Sequence, residues 1–473
     1  MAAAVTTVYV CPFYCVGFYF VLYTSIFINC CSGHSSYRFF STKTPYEWVH
    51  KSKSLTTVDE WYYLPELKGS SCSAVHANAV LRHGARFPGL DDVHEISNIH
   101  EKLLVSLEPD VNPNLYNWIN KFPSNNNKAL SHLGEEEQEA LGKRIAQKLT
   151  SLLADEDLSS FRFIVSSQER TKQSASSFYE GLTNVLNKEE DIEDEFDSEV
   201  NDELLRFFNL CEKYVFAVEK NKTAHKEYYS FLQSDQVNEI RNKIHKKLNM
   251  KDDVLTTGNV RLIYLMCGYE MAAFKESPWC SLLDESDMEI LEYLGDLKHY
   301  FKNGYGYNIT CQQSCPLVSE IFLTMDEVIN DIENSDSEDE QDEYIVGQFA
   351  FGHAETLGPL YCALGLFKDQ EGLRADNFDK RPDHKFRTSE ILPFSANIVF
   401  VLYECVPEEL GEDEEIEEAD YYLKMFINEK PHVIPGCEKL YCPYKQVRQY
   451  YRKLVDECDF KGICKRSAER DEL

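Results

Sequence analysis

Arg82, His83 and Arg86 fall within five positions of the stretch AVLRHGARFPG, directly after an apolar run. Cations this close repel one another unless an anion sits between them, so the segment points to a binding site for something strongly negative. Phosphate is the anion whose chemistry uses all of these residue types. Planar guanidinium forks fit its oxygens, and a neutral imidazole can attack phosphorus while the forks hold the charge that redistributes. Arg170, in SSQERTKQSASSFYEGL, supplies a third fork at another strand-to-helix junction. Far downstream, YIVGQFAFGHAETLGPL runs from an apolar strand through Gly352 into His353 and Glu355. His353 would point at phosphate, and Glu355 would protonate the departing alkoxide.

Three elements must deliver these residues to one place. Ser73–Leu81 is expected as a strand with RHGARFP at its carboxyl end, where ligands of open α/β sheets gather. Phe161–Val165 is a short buried strand ahead of Arg170, and Tyr344–Phe351 is the strand ahead of His353. Asn397–Tyr403 adds another, and Leu133–Leu153 has the three- and four-residue apolar spacing of a helix. Strands alternating with helices predict an α/β sheet. From about residue 200 to 300 the pattern is helical, as in LLRFFNLCEKYVFAVEK. The expected division is therefore a sheet domain from 34–190 and 340–465, with a mainly helical cap, 191–339, inserted between its strands. Acidic runs at Glu189–Asp197, Glu333–Glu343 and Glu408–Asp420 read as solvated loops. No internal repeat and no glycine-rich nucleotide loop is present in the sequence.

The chain has 473 residues, 48 basic against 80 acidic, for a formal charge of −32. That balance excludes nucleic acid and acidic membrane surfaces as expected partners, and it makes the basic cluster at 82–86 a local exception. Residues 1–33 carry no charge, and their long apolar run reads as a secretory signal peptide; an uncleaved type II anchor is the alternative. The tail 466–473 ends in Arg470-Asp471-Glu472-Leu473, a retrieval signal of the endoplasmic reticulum lumen, with its receptor as the expected partner. Twelve cysteines lie beyond the leader, an even set suited to disulfides in an oxidising compartment, and Cys437–Cys442 and Cys267–Cys280 are plausible local pairs. Asn221 and Asn308 head glycosylation sequons.

RHGARFP followed far downstream by HAE resembles the histidine acid phosphatases. Within them the chain is similar to the subgroup acting on inositol polyphosphates, a likeness that extends through SPWCSLL, LEYLGDLKHYFKNGYGYNI and KFRTSEILPFSANIVFVLYEC. The resemblance implies a phosphoglycerate mutase-like sheet domain with a helical cap and an active site between them. It implies a nucleophile at His83, phosphate ligands at Arg82, Arg86, Arg170 and His353, and the acid at Glu355. Many members place an aspartate directly after the second histidine; Ala354 stands there, and the glutamate one residue on is the pattern of this subgroup. Lys298, His384, Lys385 and Arg387 are candidates for the remaining phosphates of a polyanion. The expected activity is phosphomonoester hydrolysis through phosphohistidine, without metal or cofactor. Its expected substrate is a small polyanion, inositol hexakisphosphate foremost, with 2,3-bisphosphoglycerate allowed as a side substrate. A broad-specificity acid phosphatase and a lumenal calcium-binding pseudo-phosphatase are the rivals.

Overall fold

Ala77 and Ala79 alternate with Asn78 and Val80 along Ser70–Arg82, and this segment forms a strand, β1, buried on both faces from Ala74 to its end. The computed structural model describes residues 40–50, 57–64, 67, 69–123, 127–154, 158–186, 196–250, 254–334, 344–380, 382–407 and 420–466. The expected leader lies outside the described residues, as do most of the three acidic runs and nearly all of the retrieval tail. Everything described belongs to one compact unit, Tyr37–Leu473.

β1 lies at the middle of an eight-stranded sheet. The other strands are β2 (Phe161–Val165), β3 (Glu199–Val200), β4 (Gly347–Gly352), β5 (Asn397–Pro407), β6 (Asp420–Ile427), β7 (Lys430–His432) and β8 (Tyr441–Pro443). The order is β3-β2-β4-β1-β5-β6-β7, with β8 against β6. β3, β2, β4 and β1 pair in parallel, whereas β5 is antiparallel to β1 and β6 to β5. This arrangement brings the carboxyl ends of β1, β2 and β4, the start of β5 and the end of β6 to one edge. Register fixes the meeting point: Arg82 stands opposite Gly352, and Phe351 lies between Leu81 and Val165.

Side-chain alternation gives each face its own core. Ala77, Ala79, Phe349 and Phe351 pack against helices α2 (His132–Lys148) and α3 (Glu169–Leu186), whose buried residues include Leu141, Ile145, Phe178 and Leu182. On the opposite face Val80, Ala350, Ile398 and Phe400 join α1 (Leu90–Leu104), α4 (Thr257–Phe274), α5 (Glu285–Asn303), α6 (Cys315–Glu333) and α7 (Ala354–Ala363). Every described element between β3 and β4 is helical. The helix expected over Leu133–Leu153 breaks at Leu149 and resumes as a single turn, Thr150–Leu153. The Thr150 hydroxyl donates back to the carbonyls of Ala146 and Gln147, competing with the helical ladder there.

All twelve cysteines beyond the leader pair. The two expected local bridges, Cys437–Cys442 and Cys267–Cys280, are present. Four others span the fold: Cys72–Cys405, Cys211–Cys464, Cys311–Cys362 and Cys315–Cys458. Cys72–Cys405 joins directly opposed residues of β1 and β5 across a separation of 333 residues. Closing a loop that long restricts the unfolded chain by roughly 6 kcal/mol in the entropic account. Six bridges are the chemistry of a protein that matures in an oxidising compartment, secreted or lumenal.

Candidate active site

After Arg82 the chain leaves the sheet, and its backbone is held group by group. Gln138 Nε2 donates to Arg82 O, and Arg82 N donates to Ala396 O. His83 N donates to Gly352 O, while His83 O accepts from Ser395 N. Gly84 N donates to Ser174 Oγ, Ala85 N to Glu137 Oε2, and Ala85 O accepts from both the amide and the hydroxyl of Ser131. A Cβ at Gly84 would lie 2.2 Å from Gly134 O. Only glycine at that position lets the first turn of α2 press against the loop.

The loop fixes the state of the nucleophile candidate. His83 Nδ1 lies 2.8 Å from Gly84 O, and a carbonyl can only accept, so Nδ1 carries the proton and the Nε2 lone pair is left for chemistry. The His353 ring stands edge-on to it with centroids 5.5 Å apart. Arg170 Nη2 donates to His353 Nδ1 at 3.2 Å, which places the His353 proton on Nε2, where it is donated to Ser166 Oγ at 2.9 Å. His353 also caps α7, its N–H donating to Thr356 Oγ1.

Each guanidinium is anchored at one corner. Arg82 Nη1 donates to Thr42 O and Leu392 O, and its plane covers the Phe394 ring. Arg86 Nη1 donates to Phe87 O and Arg170 Nη1 to Gln168 Oε1. The Nε atoms of Arg82, Arg86 and Arg170 are buried with no hydrogen-bond partner. All three guanidinium groups lie close enough to His83 to act on its charge, and that concentration of positive charge with donors to spare suits an anion.

Electrostatics agree. Burial, then Arg86, lowers the Arg82 pKa to about 9, and the same two causes lower that of Arg170 to about 10. Burial and the neighbouring arginines hold His83 well below the usual histidine range, so its imidazole is neutral at neutral pH. Burial and Arg170 bring His353 to about 3. At Glu355 the influences oppose one another. Burial would raise its pKa, but Lys302, His353, His299 and its own backbone N–H together hold it below the ordinary carboxylate range. It is ionised before any substrate binds, so a proton must arrive with the ligand for it to act as an acid.

The structure adds groups that sequence reading missed. Lys298, His299 and Lys302 share a face of α5 turned to Glu355, and only Lys298 was anticipated. Lys302 also pairs with Glu219 at 3.0 Å. Lys43 enters from the N-terminal turn, half-buried beside Arg86 and Arg82 and over the Tyr269 ring. The i, i+1, i+4 spacing in LKHYFK was the available signal for α5; a lone lysine in STKTPY gave none. The other basic candidates sit elsewhere. His384 Nε2 meets Asp296 at 2.8 Å, Arg387 donates to Pro382 O, and both line an acidic pocket with Glu289, Glu292, Asp379, Asp383 and Glu390. That surface repels a polyanion. Next to them, the Lys385 backbone N–H donates to Asp369.

Comparison with known proteins adds a family. Residues 75–428 match the histidine phosphatase superfamily (branch 2). The chain is 32% identical to multiple inositol polyphosphate phosphatase 1 of Gallus gallus, over 90% of this chain and 92% of that one. To the Homo sapiens protein of the same name it is 30% identical, over 90% and 88%. Its fold is similar to the phytase from D. castellii, with a TM-score of 0.66 and 16% identity, over 90% of this chain and 87% of that one.

Proposed function

This chain belongs to the histidine phosphatase superfamily, branch 2, and within it to the multiple inositol polyphosphate phosphatases, and from that premise we propose that it removes phosphates from inositol polyphosphates through a phosphohistidine. The observation that carries the site reading is a neutral His83, its Nδ1–H held by Gly84 O, with Arg82, Arg86 and Arg170 all close enough to act on its charge. His83 Nε2 attacks phosphorus as the ester P–O bond breaks. The leaving oxygen takes a proton from Glu355, and the positive charge on the phosphoimidazole rests against the Gly84 carbonyl. Water then attacks phosphorus, gives its proton to Glu355, and the P–N bond breaks to restore neutral His83.

Arg82, Arg86 and Arg170 hold the transferred group, and His353, with one ring nitrogen on Arg170 and the other on Ser166, orients Arg170 beside it. Lys43, Lys298 and Lys302 extend the positive lining beyond it, which suits a ring bearing several phosphates. The helices of 202–333 serve as the cap that supplies α5. Every step uses side chains alone, so phosphate release from inositol hexakisphosphate should proceed unchanged with excess chelator, followed by chromatography of the inositol phosphates over time. Release that stops on chelation, or no release at all, defeats this reading.

The finer location is the lumen of the endoplasmic reticulum, supported by the terminal Arg470-Asp471-Glu472-Leu473. Deleting these four residues should send active protein into the medium of expressing cells. Unchanged retention in a secretion assay would show that the tail is not read by a retrieval receptor.

A further inference from the structure

We propose that Glu137 is a positioning residue that locks the catalytic loop to the N-terminal segment, so that His83 and Arg82 meet the phosphoryl group in register; this rests on the function proposed above. The helix α2 carries three successive glutamates, 135–137. Glu135 and Glu136 are exposed and meet only His132 among the ion pairs of the described residues. Glu137 turns inward and is buried.

Three donors from three separate segments converge on its two oxygens. Tyr46 N–H reaches Oε1 at 2.8 Å, while Ala85 N–H and Ser395 Oγ reach Oε2 at 2.9 and 3.1 Å. Each donor's segment touches the phosphate cage. Four residues before Tyr46, Thr42 O accepts from Arg82 Nη1, and Lys43 lies between them. Ala85 is two residues past the nucleophile. Ser395 N donates to His83 O. The side chain thus joins the loop, the segment that orients Arg82, and the turn that holds His83.

A carboxylate is required because all three partners donate. Glutamine offers one oxygen, and its NH₂ would face an N–H that also donates. Stability does not account for the residue, since exchanging a buried ionic group for apolar packing is often neutral or favourable. Burial pushes the Glu137 pKa up to about 7 against the pull of the Tyr46 and Ala85 amides, so holding a carboxylate here carries a cost.

The test compares Glu137→Gln, Glu137→Asp and Ser395→Ala with the native protein in steady-state hydrolysis of inositol hexakisphosphate and in rapid-quench formation of phosphohistidine. Melting curves establish folding. Glu137→Gln should lower kcat by about a hundredfold through misplacement of His83. KM should stay within about threefold of native, because the anion-binding side chains remain. Glu137→Asp keeps both acceptor oxygens and should recover part of the loss. If Glu137→Gln does not fold, Ser395→Ala decides, with an expected loss of about tenfold in kcat, the lower end for one hydrogen bond to a charged group. Native-like kcat in the folded variant, a change confined to KM, or an aspartate no better than glutamine overturns the assignment. A native protein that releases no phosphate overturns the function itself, which is a separate and visible result.

Discussion

His83→Ala should still bind inositol hexakisphosphate and should not hydrolyse it. The anion is held by Arg82, Arg86 and Arg170, each anchored by carbonyl or amide oxygens that owe nothing to the imidazole. Removing His83 therefore leaves the attraction and deletes the atom that forms the P–N bond. The loss should be about a millionfold, the scale seen when a covalent hydrolase loses its nucleophile. Calorimetric titration should show binding within about tenfold of native, since one neutral ring contributes little beside three charge-assisted donors. Brief incubation with radiolabelled substrate and acid or alkali quench should give the native protein an acid-labile, alkali-stable label, and the variant none. Phosphate release at a tenth of the native rate or more would end the covalent mechanism.

The delivery of that nucleophile was legible in the sequence because it is local. An apolar strand followed at once by RHGARFP, or by GHAE, states both the element and the residue it carries, and sheet register did the rest. The two disulfides found in advance span 5 and 13 residues; the four missed span 51 to 333. Lys43 and Glu137 were hidden for the same reason. A lysine among threonines and the third of three glutamates have no local pattern, and their roles exist only once β1 and α2 have been brought against the N-terminal segment. β6 was missed although DYYLKMFI is a good strand, because the acidic run before it suggested a loop. His384 and Arg387 erred the other way. Their basic character was plain, but the acidic groups they face come from α5 and from residues 379–390, and no periodicity announces that meeting.

The chain's charge of −32 and its cationic cage also explain each other. An overall negative field keeps anions away in general, and burial strengthens the local positive field where water is excluded. The cage pays for that field with depressed arginine and lysine pKa values and three orphaned donors. A ligand that supplies several negative charges at once relieves all of them, which a single inorganic phosphate does less completely. If the chain favours polyphosphates over monoesters, crowding of cations should contribute as much as any one contact.

Glu355→Gln should separate substrates by their leaving groups. In the empty site the Lys302 ammonium and the Glu355 backbone N–H work against burial and hold Glu355 below the ordinary carboxylate range, so the free protein holds no proton there at neutral pH. A phosphate ester carries one, because its second ionisation lies near pH 6. The monoanion can bring that proton into the cage, where its charge offsets the cations that had held Glu355 ionised and raises the carboxyl toward protonation. The sign follows: hydrolysis of alkyl phosphates should be complete below the second ionisation of the substrate and decline as pH rises through about 6, set by the ester rather than by free Glu355. Glutamine at 355 cannot donate an acidic proton or take one from water. An inositol phosphate, whose alkoxide is a poor leaving group, should lose about a thousandfold in the phosphorylation step. An aryl ester such as p-nitrophenyl phosphate leaves without protonation, so its first step should be nearly unchanged while the second, which needs the base, slows and phosphohistidine accumulates. Rapid-quench measurement of both esters across pH 4 to 8 tests the whole chain of reasoning. Equal losses for alkyl and aryl esters in the first step would take Glu355 out of the acid role. A pH profile of the native protein that ignores the substrate's ionisation would show that the proton comes from elsewhere, with His299 as the next group to examine.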